Sequence, residues 1–72
     1  MLLSIWMARK GYDDASFAQL LTEWGQPVDR ASVSRWRRGV NTPRPPQMRA
    51  IIEATKGQVG AADLLVPNGK AA

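Results

Sequence analysis

Between residues 30 and 49 the chain carries Arg30, Arg35, Arg37, Arg38, Arg44 and Arg49 and no carboxylate, while Asp13, Asp14, Glu23, Asp29, Glu53 and Asp63 all lie outside that window. A guanidinium is a planar fork of N–H donors that stays charged in water and matches the paired oxygens of phosphate and carboxylate groups. Such a local excess is the electrostatic footprint of a polyanionic partner. The plainer reading is a solvated basic face with no partner, and the formal net charge of +4 permits both.

No catalytic set accompanies the arginines. Asp13 and Asp29 each stand one step before a helical pattern and read as caps, and no histidine, lysine or metal site is placed to turn them into an acid/base pair. With neither cysteine nor histidine in the sequence, disulfides and the usual structural zinc sites are excluded. The expectation is therefore a protein that is not an enzyme, has no cofactor or metal, and acts on no small-molecule substrate.

Seventy-two residues make one domain at most, near the lower limit at which a single core offsets the entropy of folding. Apolar residues at 44%, with Trp6, Trp24 and Trp36 among them, argue for a packed core rather than disorder. The apolar start, Met1 to Ala8, is too short to span a bilayer, and Arg9 and Lys10 follow it instead of preceding it as in a secretory signal. A cytoplasmic protein with no membrane contact is expected.

The elements that must hold the arginines read as helices throughout, giving an all-α domain over 1–66 and a short frayed tail over 67–72. Leu2 to Arg9 reads as a buried helix ended by Gly11. The second helix is capped by Asp13, stapled by Tyr12 against Phe17, and carries an inward stripe of Phe17, Leu20, Leu21 and Trp24 up to Gly25. After a turn containing Pro27, Asp29 caps a helix from Arg30 to Arg38 closed by Gly39. On it Val33 and Trp36 share one side, Ala31, Ser34, Arg35 and Arg38 lie roughly opposite, and Arg30, Ser32 and Arg37 flank them. Trp36 is thus a core residue, not a platform for stacked bases. Met48, Ile51, Ile52 and Thr55 give a fourth helix its inward face, begun by Pro45 or Pro46 and ended at Gly57, and Ala61 to Leu65 makes a short fifth.

Two short helices joined by a turn, the second presenting basic and small polar side chains, suit the B-DNA major groove, which is about 12 Å wide and admits one helix. The ordered set SFAQLL, ASVSRWRRG, a proline-rich connection and MRAIIEATKGQVGAADLL resembles the Cro-like (XRE-type) helix-turn-helix phage repressors over nearly the whole chain. The most specific part is Val33-Ser34-Arg35-Trp36 followed by Gly39, together with Ala54-Thr55, Gly57, Val59 and Asp63-Leu64.

The resemblance implies a four- to five-helix, lambda-repressor-like DNA-binding domain acting in the cytoplasm of a bacterial host. Its base-reading positions fall on Arg30, Ala31, Ser34 and Arg35. Arginine can donate twice to guanine O6 and N7, serine can donate or accept, and Ala31 can meet a thymine methyl. Its grip on the sugar–phosphate backbone falls on Ser16, Ser32, Arg37, Arg38, Asn41, Thr42 and Arg44. The partner implied is a double-stranded DNA operator; one module of this size buries limited surface on DNA, so a second copy of the chain is expected too, with the apolar stretch 59 to 66 as the candidate surface for pairing.

The chain departs from the family pattern in two places. The stretch from Phe17 to Val33 is longer, which reads as a second helix extended by a turn, and Asp14 occupies a position where the family tends to have a glutamine on a phosphate; Ser16 is the nearest substitute. Rival readings are an antitoxin or anti-CRISPR-associated autorepressor with the same motif, and, from a different class, a basic module that docks an acidic protein.

Overall fold

The computed structural model describes residues 1–65. Val66 and the expected tail over 67–72 lie outside the described residues. The helices are α1 (Leu3–Lys10), α2 (Asp14–Glu23), α3 (Arg30–Arg37), α4 (Pro45–Ala54) and α5 (Ala61–Leu64), and there is no strand among the described residues. The protein is an all-α globule.

Local chemistry sets most of these boundaries. The Asp13 carboxylate accepts from the Ser16 backbone N–H at 2.8 Å while the Ser16 hydroxyl accepts from the Asp13 N–H at 3.0 Å, a reciprocal capping box that starts α2. Asp29 starts α3 by accepting from the Ser32 N–H at 2.9 Å. At the other ends the chain reverses through paired bonds back into the last turn. The Gln26 N–H donates to the Leu21 carbonyl and Gly25 to Thr22 after α2; Val40 donates to Arg35 and Gly39 to Trp36 after α3. Gly39 takes a φ of 77°, a left-handed conformation that lets the chain leave α3 within one residue.

The end of α4 departs from expectation. The same paired bonds run from Gly57 to Ile52 and from Lys56 to Glu53, so the left-handed reversal begins on Lys56, at a φ of 56°, with Gly57 the next residue. A β-carbon is held there in a conformation that glycine adopts more cheaply.

The core joins Leu3, Trp6 and Met7 of α1, Phe17, Ala18 and Leu21 of α2, Val33 and Trp36 of α3, Ala50 and Ile51 of α4, Val59, and Leu64 of α5. Trp6 stacks on Tyr12 with ring centroids 5.4 Å apart, and Phe17 meets both rings edge-on at 5.8 and 6.0 Å. The Tyr12–Phe17 staple is thus one side of an aromatic triangle that also fixes α1. The Trp6 indole N–H donates to the Gln58 side chain at 3.1 Å, so burying that ring leaves no polar group stranded.

Three readings of burial need correction. The first helix is buried on one side only, because Leu2 and Ile5 stand out at 53% and 46% exposure and Ala8 is also exposed. Trp24 does not continue the α2 stripe: α2 ends at Glu23, Trp24 is its terminal cap, and the indole is half exposed. The additional length between Phe17 and Val33 falls largely in the connection over 24–29 rather than in more helix. On α4 only Ile51 of the apolar pair at 51 and 52 is fully enclosed, with Met48 and Ile52 half-buried and Thr55 buried.

Candidate nucleic-acid interface

The site is built outward from α3. Val33 is completely enclosed and Trp36 nearly so, which fixes the rotation of the helix about its own axis. Given that rotation, Arg30, Ala31, Arg35, Arg37 and Arg38 are exposed and Ser32 and Ser34 are half-buried. The face read from the sequence as opposite the apolar pair is the solvent face.

Two walls flank this helix. On one side the start of α2 contributes Asp13, Asp14 and Ala15 to a shallow groove of about 450 Å³ whose other wall is Arg30, Ala31 and Ser34. On the opposite side Ser32 and Trp36 share a second groove of about 330 Å³ with Asn41, Thr42, Arg44 and Gln47. Buried Pro43 pins the connection that carries Asn41, Thr42 and Arg44, and all three of those side chains are exposed. The structure therefore gathers Arg30, Ala31, Ser34 and Arg35 on one helix face and sets the connection beside them.

The start of α4 adds little of its own to an anion site. Pro45 and Pro46 fill its first two positions, which removes two of the backbone N–H groups that a helix start would otherwise present. The Gln47 side chain accepts from the Arg44 backbone N–H at 2.9 Å, orienting that residue as it enters the helix.

Ser16, Arg38 and Arg37, all expected as backbone contacts, have bonding partners within the protein. The Ser16 hydroxyl accepts from the Asp13 N–H and also donates to the Asp13 carbonyl at 3.3 Å, so its role in this structure is to cap α2. Arg38 folds back along α3 and donates from Nε to the Ser34 hydroxyl at 3.2 Å and the Ser34 carbonyl at 3.3 Å, which lays its guanidinium along the solvent face beside Ser34. Arg37 is engaged across helices: Nε donates to Asp14 Oδ1 at 2.8 Å and a terminal nitrogen donates to Asp14 Oδ2 at 3.1 Å. The sequence shows both members of this pair but not their meeting, since they are far apart in the chain and on different helices.

The carboxylates around the site are held in their charged form. The Arg37 fork keeps Asp14 below the ordinary aspartate range, and Asp14 in turn pushes the guanidinium up. Asp29 is lowered by the side chain and backbone N–H of Ser32, with a smaller contribution from Arg35; Asp13 is lowered chiefly by the Ser16 backbone N–H.

Of the stretch expected to pair two copies, two residues lie inside the fold, while Ala61, Ala62 and Leu65 are exposed. Val59 is fully enclosed and Leu64 is 5% exposed, whereas Leu65 at 57% stands out and Val66 is outside the described residues. Core demand accounts for Val59 and Leu64 alone. No helix among the described residues is long and apolar enough to cross a membrane, and none of their acidic side chains form a group of three or more suited to a metal ion. Comparison with protein-family models, curated proteins and solved structures returns no match to the chain.

Proposed function

We propose that this protein is a sequence-specific double-stranded DNA-binding regulator of the Cro-like helix-turn-helix kind, a repressor that acts by occupying an operator. The single observation that carries the reading is the orientation of α3: Val33 and Trp36 anchor one side while Arg30, Ala31, Ser34 and Arg35 emerge together on the other. A helix of this width with its guanidinium groups outward suits the major groove, where arginine reads guanine through O6 and N7.

In this reading Arg30, Ala31, Ser34 and Arg35 meet base edges. Ser32, Asn41, Thr42 and Arg44 hold the phosphates on one flank, Arg38 adds its charge beside Ser34 on the outward face, and together they set the register. Burial of about 600–1,000 Å² on DNA is usual for a single module, so two copies on inverted half-sites one helical turn apart supply the affinity that one lacks.

The reading is tested by selecting duplexes from a random pool with the purified protein. The expected outcome is a recurrent inverted repeat bound about 10³-fold or more tighter than random DNA at the same salt concentration. Equal affinity for selected and random duplexes would reject sequence-specific recognition. Binding of an acidic protein in preference to any duplex would favour the docking-module reading instead.

A further inference from the structure

Arg37 has the position of a phosphate contact and the bonding of something else. One two-donor edge of its guanidinium, Nε with a terminal nitrogen, is committed to Asp14 at 2.8 and 3.1 Å, and this two-bond geometry is the one that a guanidinium makes with a phosphate. Asp14 is in the first turn of α2, where the free N–H groups of the helix favour an anion, and its side chain is 25% exposed against 36% for Arg37. Asp13 and Asp14 both border the groove on the Arg30, Ala31 and Ser34 side of α3. A phosphate seeking that edge of Arg37 must break a two-bond ion pair, and one approaching from the remaining side meets a charge already balanced by Asp14, with Asp13 close by.

From this juxtaposition we propose that Asp14 is an affinity-setting residue that occupies the Nε edge of Arg37 and balances its charge in place of a DNA phosphate, so that Arg37 does not grip the backbone while Asp14 is charged. The assignment rests on the DNA-binding reading above and deepens it. One flank of α3, the side of the Asn41–Arg44 connection, holds phosphates, and the α2 flank is electrostatically neutralised within the protein. Sequence-independent affinity comes from neutralised phosphates, so removing one arginine from that set lowers the attraction to all DNA without touching the base-reading face.

The test is a four-protein cycle: the wild type, D14N, R37Q and the double variant, each titrated with a selected duplex and with random DNA over a range of salt concentrations. Each neutralised phosphate contributes about 0.9 to the slope of log K against log salt. D14N is expected to steepen that slope by about 0.9 and to tighten binding to both duplexes, because Arg37 is released. R37Q is expected to leave the wild-type slope nearly unchanged, yet to reduce the slope by about 0.9 when introduced into the D14N background.

A reduction of about 0.9 on introducing R37Q into the wild type, equal to that in the D14N background, would overturn the proposal, because Arg37 would then contact phosphate whatever stands at position 14. Wild-type protein that binds no duplex at all would overturn the DNA reading itself, and the two failures are distinct. Melting curves confirm that all four proteins are folded, and Asp14→Ser replaces D14N should the amide disturb the start of α2.

Discussion

Val33 and Trp36, one turn apart on α3, point into the same core, with Val33 fully enclosed and Trp36 at 8% exposure. That shared direction is what turns the other side of the helix, and its arginines, to solvent.

Truncating Trp36 to alanine is expected to cost about 3–5 kcal/mol, through lost burial and the cavity left behind. A domain of this size has about 4–11 kcal/mol of total stability to lose. The variant should show a sharply lowered melting temperature or be largely unfolded at 37 °C, and DNA binding should be lost with the fold. A variant that melts like the wild type would mean that the indole is not core.

Arg35→Ala and Arg44→Ala are expected to fail in different ways. Arg35 lies on the exposed face of α3 and Arg44 on the flanking connection. Losing Arg35 should reduce discrimination at one base pair by about 1–3 kcal/mol, while losing Arg44 should weaken binding to every sequence alike and flatten the salt slope by about 0.9. Binding titrations against single-base operator variants separate the two; an unchanged base preference in Arg35→Ala would remove it from the base-reading set.

The helix ends were legible in the sequence where the rule is local. Asp13 and Asp29 as caps, Gly11 and Gly39 as reversals, and Tyr12 on Phe17 all follow from residues within five positions of each other, and the structure contains them. Properties set by distant packing were not legible. Helical spacing put Trp24 on the inward stripe of α2, but the helix stops one residue earlier and the stripe with it. Likewise the apolar run near residue 59 does not show in the sequence which of its members the core takes: Val59 and Leu64 are enclosed, while Ala61, Ala62 and Leu65 stay exposed. Asp14 and Arg37 were each visible as charges, yet their meeting depends on how α2 crosses α3.

The exposure of Trp24 gives a direct optical check. Trp6 and Trp36 are enclosed, at 5% and 8%, and Trp24 is at 49%. Acrylamide or iodide should quench one indole far more than the other two, and Trp24→Phe should remove the quenchable fraction while leaving the melting temperature within a few degrees. Undiminished quenching in that variant would contradict the placement of α2 and its cap.

Stability should fall in acid. Asp13, Asp14 and Asp29 all have carboxyls held below the usual value of 3.8 by the bonds they accept in the folded protein. A group depressed in this way stabilises the fold at pH values above its unfolded pKa, and that contribution is lost as the pH drops through the folded one. The melting temperature should thus begin to fall near pH 4 and continue falling below it. With no histidine in the chain, no side chain of ordinary pKa near neutrality adds a second transition there. A melting temperature unchanged between pH 5 and pH 2.5 would show that these bonds contribute nothing.

Lys56 and Gly39 make a matched pair of opposite sign. Both hold left-handed backbone after a helix, Lys56 at a φ of 56° and Gly39 at 77°. Lys56→Gly is expected to raise stability by about 0.5–1 kcal/mol, the relief of side-chain crowding less the added freedom of the unfolded chain, whereas Gly39→Ala should cost about 1–2 kcal/mol. Denaturant midpoints measure both, and destabilisation by Lys56→Gly would contradict the reversal seen at the end of α4.

The most direct test of the recognition face is a map of backbone amide shifts as a selected duplex is added to isotopically labelled protein. The account predicts that the largest changes fall on residues 30 to 38 and on Asn41, Thr42 and Arg44, with the outward side of α1 around Leu2 and Ile5 little affected. Changes centred on α1 or α5, with α3 silent, would contradict it.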